Sequence, residues 1–219
     1  MLQTVELQTT PSPSASIVWL HGLGADGYDF VPVVKELEAL GAPPVRYVFP
    51  HAPMRPVTIN GGMTMRAWYD ILGTELTRRE DEAGVRESQR QVEALIAQEE
   101  SRGIARSRIV LAGFSQGGAI TLHTGLRQTA PLAGLLALST YLPLAASLAA
   151  ERAAASQGVP ILMAHGTQDP IIPLARATES RDALRALGYA VQWQQYPMPH
   201  SVCAEEIELI AGFLRAVIA

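Results

Sequence analysis

Residues 113–117, Gly-Phe-Ser-Gln-Gly, have the form Gly-x-Ser-x-Gly. A stretch that is typical of a buried strand precedes them, and a helical stretch follows them. This context is typical of a nucleophile elbow, a sharp strand-to-helix turn that projects a serine hydroxyl above a sheet. The flanking glycines admit neighbouring backbone, and the amide-rich start of the helix favours developing negative charge. We therefore predict that Ser115 is a nucleophile rather than an ordinary turn serine.

A serine hydroxyl is a weak nucleophile unless a nearby base takes its proton. In chains with this elbow the serine comes first, an acidic residue follows, and a histidine comes last. Three histidines follow Ser115: His123, His165 and His200. His123 falls inside the helix that follows the elbow, so His165 and His200 are the two that remain for the base.

The acidic residues between Ser115 and His200 are Glu151, Asp169, Glu179 and Asp182. Glu151 stands next to an arginine, and Glu179 and Asp182 lie in an arginine-rich helical segment, so we interpret these three as solvated. Asp169 instead follows a predicted strand directly, and active sites of open α/β sheets gather at the carboxyl ends of strands. Because only His200 follows Asp169, the chain order predicts a triad of Ser115, Asp169 and His200. A turn-capping aspartate and an exposed loop histidine are the structural alternatives.

Acyl transfer also requires backbone N–H groups that point at the developing oxyanion. One donor of this fold class is the N–H of the residue after the nucleophile, here Gln116, and the other comes from a loop after an early strand. That loop has the sequence His-Gly-Leu-Gly at residues 21–24, and we assign the second donor to Leu23. Residues 22–27 of the same loop (Gly-Leu-Gly-Ala-Asp-Gly) match Gly-x-Gly-x-x-Gly, the pattern of a dinucleotide-binding turn. That interpretation is disfavoured, because no acidic residue lies between Glu38 and Asp70 to bind a ribose.

The elements that must position these residues alternate along the chain. Predicted strands cover residues 15–20, 45–49, 108–114, 133–138, 160–164 and 189–196. Predicted helices cover residues 28–40, 86–102, 117–127, 174–187 and 204–218. Strands separated by helices need crossover connections, which favours a mostly parallel sheet with helices on both faces. We predict an α/β fold in a single domain over residues 1–219.

Composition excludes several classes of protein. The 219 residues are 48% hydrophobic and 17% charged, which is too apolar for intrinsic disorder. A net charge of −4 without a basic stripe argues against a nucleic-acid partner. Cys203 is the only cysteine, so no internal disulfide is expected. The first ten residues have no apolar core typical of a signal peptide, and we expect a cytoplasmic protein.

Two segments have alternative interpretations. Residues 128–150 carry no charge and are long enough to span a bilayer, but prolines and polar residues favour a buried strand followed by a loop. We therefore expect no integral membrane association. The charged cluster at residues 78–82 is either a docking patch or, as we favour, a solvated loop.

Taken together, the motifs resemble the carboxylesterase and acyl-protein thioesterase family of α/β-hydrolases over nearly the whole chain. The matching blocks are residues 20–24 (LHGLG), 49–53 (FPHAP), 68–71 (WYDI), 113–118 (GFSQGG), 165–170 (HGTQDP) and 199–201 (PHS). The resemblance implies the same triad, an oxyanion hole of Leu23 and Gln116, and no large helical cap domain. It also implies hydrolysis of carboxylic esters or thioesters without a cofactor or a metal.

The resemblance leaves the substrate open among short and medium acyl esters, lysophospholipids and acyl thioesters on proteins. The expected partner is thus a small-molecule ester or an acylated substrate, and a homodimer is left open. We predict that the Met54–Leu72 segment forms a loop walling an open acyl trough, with Met65 and Leu72 in the wall and Trp68 more structural. A loop packed onto the domain is the alternative. A non-catalytic binding protein and an acyltransferase are the alternative functions.

Overall fold

A central β-sheet organises the computed structural model, which describes residues 2–73 and 80–218. The strands are β1 (Thr4–Gln8), β2 (Ser16–Leu20), β3 (Arg46–Pro50), β4 (Met54–Val57), β5 (Met63–Arg66), β6 (Ile109–Phe114), β7 (Gly134–Leu138), β8 (Ile161–Gly166) and β9 (Val191–Tyr196). The helices are α1 (Val31–Ala39), α2 (Glu82–Ser101), α3 (Gln116–Gly125), α4 (Ala145–Glu151), α5 (Leu174–Ala186) and α6 (Ala204–Ile218).

Within the described residues, seven strands form one sheet in the order β1-β3-β2-β6-β7-β8-β9. Every neighbouring pair is parallel except β1 and β3, which are antiparallel at the edge. Parallel strands direct their carboxyl ends to the same edge, so the loops after β2, β6, β8 and β9 meet there. The predicted mostly parallel sheet is confirmed.

Side chains of the central strands alternate between two apolar layers, as the pleat of a strand requires. In β2, Val18 and Leu20 pack into one layer, whereas Ile17 and Trp19 pack into the other. The first layer includes buried side chains of α2, α3, α4 and α5, and the second those of α1 and α6. The predicted helices on both faces are therefore confirmed, and no cap domain is evident in the described ranges.

The sequence patterns did not predict four of these elements: three strands and one helix. β1 is a half-buried edge strand with polar residues, β4 and β5 form a hairpin inside the segment expected to be a loop, and α4 follows β7 where a loop was expected. The glycines at the hairpin tip, Gly61 and Gly62, both adopt positive φ, which suits a tight reversal. Short elements of this kind are decided by their neighbours, because their own periodicity covers too few residues.

The charged cluster at residues 78–82 was expected to be a solvated loop, but its last residues form the start of α2 and its cap. Asp81 caps α2 by accepting the Gly84 N–H at 2.9 Å, so this helix begins at Glu82, four residues earlier than predicted. The second Asp81 carboxylate oxygen accepts the Asp70 N–H at 2.9 Å. Arg78 and Arg79 lie outside the described residues.

The uncharged segment 128–150 contains β7 and most of α4 rather than one continuous helix. Within residues 2–73 and 80–218, no helix combines the length and apolarity needed to cross a membrane.

Glu206, in the first turn of α6, is fully buried, and burial raises the pKa of its carboxyl group to about 8. In the unfolded chain this pKa returns to about 4.5, so the folded state binds the proton more tightly. Folding stability contributed by the protonated form is complete below about pH 4.5 and is lost as the pH rises through about 8.

We therefore expect the unfolding free energy to fall by about 2 kcal/mol between pH 6.5 and 8. Glu206→Gln should remove this decrease, whereas Glu208→Gln, at an exposed position of the same helix, should retain it. Urea unfolding at the two pH values measures the effect. An identical pH dependence in wild type and Glu206→Gln would contradict it.

Candidate active site

Ser115 joins β6 to α3 and adopts φ 55° and ψ −120°, a backbone conformation that non-glycine residues rarely adopt. Two contacts hold this strained turn. The Ser115 N–H donates to the Leu138 carbonyl at 2.9 Å, and the Thr140 hydroxyl donates to the Ser115 carbonyl at 2.6 Å. Strain of this kind, fixed by its surroundings, is the geometry of a nucleophile elbow.

The glycines of the motif are required by close backbone approach. A Cβ at Gly117 would lie 2.3 Å from the carbonyl oxygen of Leu20, and one at Gly113 would lie 2.4 Å from the Gly117 carbonyl. Any side chain at either position would push α3 away from β2 and β6. Gly113 and Gly117 therefore bring the start of α3 against the end of β2.

The structure brings Asp169 and His200 together. Asp169 follows β8 and His200 follows β9, and His200 Nδ1 lies 2.6 Å from Asp169 Oδ2. The other carboxylate oxygen accepts the N–H groups of Ile171 and Ile172 at 2.8 and 2.9 Å. Because Nδ1–H of His200 donates its hydrogen bond to the buried carboxylate, the other ring nitrogen, Nε2, is left to take a proton. The His200 ring packs 4.6 Å from that of Phe114, the residue before Ser115.

His165 lies next to the same acid and is completely buried. Its buried Nε2 lies 2.8 Å from the Ile172 carbonyl, to which it donates, and 3.5 Å from Asp169 Oδ2. Burial lowers the pKa of His165, so the ring is neutral at pH 7. His123 is buried in α3 beside Gln89, and burial lowers its pKa to about 3.

The other acidic residues are engaged elsewhere. Glu151, on α4, pairs with Arg86 at 2.6 Å and Arg127 at 2.8 Å, and the hydrogen bond from Arg86 is the main cause that lowers its pKa to about 2. Glu179 and Asp182 are exposed on α5. The geometry thus favours Asp169 over the three alternatives.

The two predicted oxyanion donors border the same cavity as Ser115. Gln116 is the first residue of α3, where backbone N–H groups have no partner inside the helix. Its side chain is fully used: Oε1 accepts the Trp68 N–H at 2.8 Å and Nε2 donates to the Tyr69 carbonyl at 2.7 Å. Leu23 lies in a turn closed by the Ala25 N–H and the Gly22 carbonyl at 3.3 Å.

His21 fixes the peptide that carries the Leu23 N–H. Its Nε2 accepts the Ala52 N–H at 3.0 Å, so Nδ1 carries the proton and donates to the Gly22 carbonyl at 2.7 Å. Burial lowers the pKa of His21 to about 4, which keeps the ring neutral at pH 7. Because C=O and N–H point in opposite directions across a trans peptide, the Leu23 N–H points away from the imidazole.

Comparison with known proteins places this arrangement in a family. The family model described as phospholipase/carboxylesterase matches residues 4–218. The chain belongs to the phospholipase/carboxylesterase family. It is therefore an enzyme of the carboxylesterase and acyl-protein thioesterase type, and the predicted family and enzyme class are confirmed.

Relatives in the family are similar over most of their length. The chain is 40% identical to acyl-protein thioesterase 1 of Neurospora crassa over 210 residues, covering 92% of this chain and 86% of the relative. It is 41% identical to acyl-protein thioesterase 1 of Mycosarcoma maydis over 223 residues, covering 94% and 92%. The crystal structure of Zea mays acyl-protein thioesterase 2 superposes with a TM-score of 0.86 at 26% identity, covering 100% of both chains.

The glycine pattern at residues 22–27 has a different role in this member of the family. α1 begins at Val31, three residues later than predicted, and not at the last glycine as a dinucleotide-binding turn requires. Gly27 instead packs so tightly that a Cβ would lie 2.6 Å from the Phe49 carbonyl.

A cavity of about 450 Å³ lies over Ser115. Its described lining residues are Leu23, Ile59, Asn60, Tyr69, Ile71, Gly73, Ser115, Gln116, Tyr141, Pro170, Ile171, Ile172 and Arg176. Ile59 and Ile171 are exposed, so the cavity reaches the surface. A larger cleft of about 590 Å³ at the opposite edge of the sheet contains none of the predicted site residues.

The structure corrects the side chains predicted for the acyl wall. The segment 54–72 does contribute to the cavity, but through Ile59, Asn60, Tyr69 and Ile71 rather than through Met65, Trp68 or Leu72. Trp68 is completely buried beneath the site, as its bulk suggested. Met65 contacts Asn60 instead, with its sulfur 3.4 Å from the Asn60 amide nitrogen. In extended backbone, side chains of neighbouring residues point to opposite sides. The prediction was therefore off by one position: Ile71 lines the cavity and Leu72, the next residue, does not.

Sequence reasoning missed the far wall of the cavity altogether. Tyr141 follows β7, and its hydroxyl lies 2.8 Å from that of Tyr69. The Arg176 guanidinium stacks 3.4 Å above the Tyr141 ring. The position of Tyr69 in the block at residues 68–71 was an available signal, whereas residues 141 and 176 carry no motif.

Proposed function

We propose that this enzyme hydrolyses carboxylic esters of short to medium acyl chains, and acyl thioesters and lysophospholipids in addition, through an acyl-enzyme on Ser115. The observation that carries the proposal is the 2.6 Å contact between His200 and the buried Asp169, at the same edge of the sheet as the strained Ser115. A base oriented by a carboxylate beside a serine elbow is the arrangement of serine hydrolases. Hydrolysis of acyl thioesters is supported by the relatives that are named acyl-protein thioesterases.

The proposed reaction proceeds in two halves. Ser115 Oγ attacks the acyl carbon while His200 Nε2 takes its proton, and the Leu23 and Gln116 N–H groups stabilise the oxyanion. His200 then returns the proton to the departing alkoxide or thiolate, leaving an ester on Ser115. In the second half, water gives a proton to His200 and attacks this ester, and the acid leaves as the proton returns to Ser115. Asp169 holds the imidazole tautomer and stabilises the imidazolium.

The test combines labelling with a matched substrate panel. An alkyl phosphonate directed at serine hydrolases should label one peptide, the one containing Ser115, and should abolish hydrolysis at one equivalent. Oxygen esters and thioesters with identical acyl groups then establish the preferred bond. Labelling of another residue with loss of activity, or no hydrolysis of either series, would contradict the proposal.

The described cavity supports short to medium chains, because about 450 Å³ lies in the lower part of the range for small-molecule sites. We expect kcat/KM to rise with each added CH₂ and then reach a plateau, since each buried CH₂ contributes about 0.8 kcal/mol. Ile71→Ala should make this rise shallower, because Ile71 lines the cavity. The total gain in transition-state binding free energy along the acyl series should fall by about 1–3 kcal/mol.

Leu72→Ala is the matched control, since Leu72 is adjacent and does not line the cavity. Its chain-length profile, measured as kcat/KM for acyl esters of graded length, should follow wild type. Equal profiles for wild type and Ile71→Ala would place the acyl chain elsewhere. A cytoplasmic location and a single domain over residues 1–219 complete the proposal.

A further inference from the structure

Trp68 connects the two segments that carry the predicted oxyanion donors, the loop after β2 and the start of α3. Its indole Nε1–H donates to the His21 carbonyl at 2.9 Å, and its backbone N–H donates to Gln116 Oε1 at 2.8 Å. Its carbonyl in turn accepts the hydroxyl of Ser88 on α2. Trp68 is completely buried, so its polar groups cannot bond to water and need protein partners. These three hydrogen bonds supply a partner to each of them: the backbone N–H, the indole N–H and the carbonyl.

We propose that Trp68 is a positioning residue that sets the spacing between the Leu23 and Gln116 N–H groups. This inference rests on the proposed function, because it explains what holds the two oxyanion donors of that mechanism in place. Trp68 itself contacts no reacting atom. Its effect passes through the His21 carbonyl on one side and the Gln116 side chain on the other.

The loop after β2 needs such external support. β2 ends at Leu20, so residues 21–24 have no ladder of strand hydrogen bonds, and glycines at 22 and 24 give the backbone much freedom. Side-chain donors replace the ladder. The indole holds the carbonyl of His21, the imidazole of His21 holds the carbonyl of Gly22, and the Gly24 N–H donates to the Arg66 carbonyl at 2.9 Å.

The indole N–H supplies what a purely apolar side chain cannot. His21 is buried beside Trp68, and the centroids of the His21 imidazole and the Trp68 indole lie 5.4 Å apart. Removing the donor leaves the buried His21 carbonyl without a hydrogen bond, which is unfavourable and lets the loop relax. Since preorganised donors stabilise only a correctly placed oxyanion, relaxation should affect turnover more than substrate binding.

The experiment compares Trp68→Phe with Trp19→Phe. Trp19 is also buried, on β2, and its indole nitrogen meets no acceptor among the described residues, so the control removes the same atoms without a hydrogen bond. Both variants are titrated with the phosphonate, so that kcat refers to competent sites. The readouts are kcat and KM for a short acyl ester and the affinity of a trifluoromethyl ketone, which forms a tetrahedral oxyanion.

We expect Trp68→Phe to lower kcat by about 10–100-fold with KM nearly unchanged, and to weaken trifluoromethyl ketone binding in proportion. Trp19→Phe should retain kcat and inhibitor affinity within about two-fold, because no bond to the site is lost. Retention of wild-type kcat by Trp68→Phe, or loss of kcat with unchanged inhibitor affinity, would overturn the inference.

If Trp68→Phe does not fold, benzothienylalanine at position 68 keeps the bicyclic shape, lacks the N–H and is judged by the same criteria. Ser115→Ala distinguishes a failure of the proposed function from a failure of this inference. Activity that survives Ser115→Ala would overturn the proposed function itself. Activity that depends on Ser115 but is indifferent to the Trp68 N–H would overturn this inference alone.

Discussion

Ser115→Ala is expected to lower turnover of acyl esters by on the order of 10⁶-fold, because the acyl-enzyme can no longer form. The small residual rate comes from binding and the oxyanion donors, which the substitution leaves in place. Steady-state kinetics with a chromogenic ester measures the loss, and mass spectrometry after phosphonate treatment should show no adduct.

Ser101→Ala, at the end of α2, is the matched control and should retain wild-type turnover and labelling. The Ser115 variant should also keep its fold, since the serine side chain caps no helix. Turnover within ten-fold of wild type in Ser115→Ala would remove this residue from the nucleophile role.

Asp169→Asn is expected to lower turnover by roughly 10⁴-fold, because an amide favours the wrong tautomer of His200 and cannot stabilise the imidazolium. The local turn should survive. Asparagine Oδ1 can still accept the N–H groups of Ile171 and Ile172, which hold the carboxylate now. Circular dichroism and thermal unfolding distinguish a folded inactive variant from an unfolded one.

Asp182→Asn removes an exposed carboxylate from α5 and should leave kcat unchanged. A mild effect of Asp169→Asn together with a large effect of Glu151→Gln or Glu179→Gln would transfer the role of the acid to another residue. The ion pairs of Glu151 with Arg86 and Arg127 argue for a structural effect of that variant, on stability rather than on turnover.

Local sequence patterns predicted most of the sheet because β2, β3, β6, β7 and β8 are mostly apolar, buried runs. The six predicted strands all occur, with ends shifted by one or two residues, and all five predicted helices occur. β1 and the β4–β5 hairpin were missed, since their residues are mostly exposed or half-buried and pair only with a neighbour. Their formation depends on strand partners, which a local pattern does not contain.

The sequence by itself determined the residues with potential chemistry: the elbow at Ser115 and the order of Ser115, Asp169 and His200. Chain order is sufficient there because parallel strands bring their carboxyl ends to one edge, whichever side chains fill the rest. Tertiary structure alone decided which oxygen of Asp169 meets His200 and which side chains line the cavity. It also decided that Trp68 joins the loop of His21 to the start of α3 at Gln116, residues that lie 47 and 48 positions away in sequence. Such contacts depend on the direction of each side chain and on the close approach of distant segments, and neither is encoded by spacing along the chain.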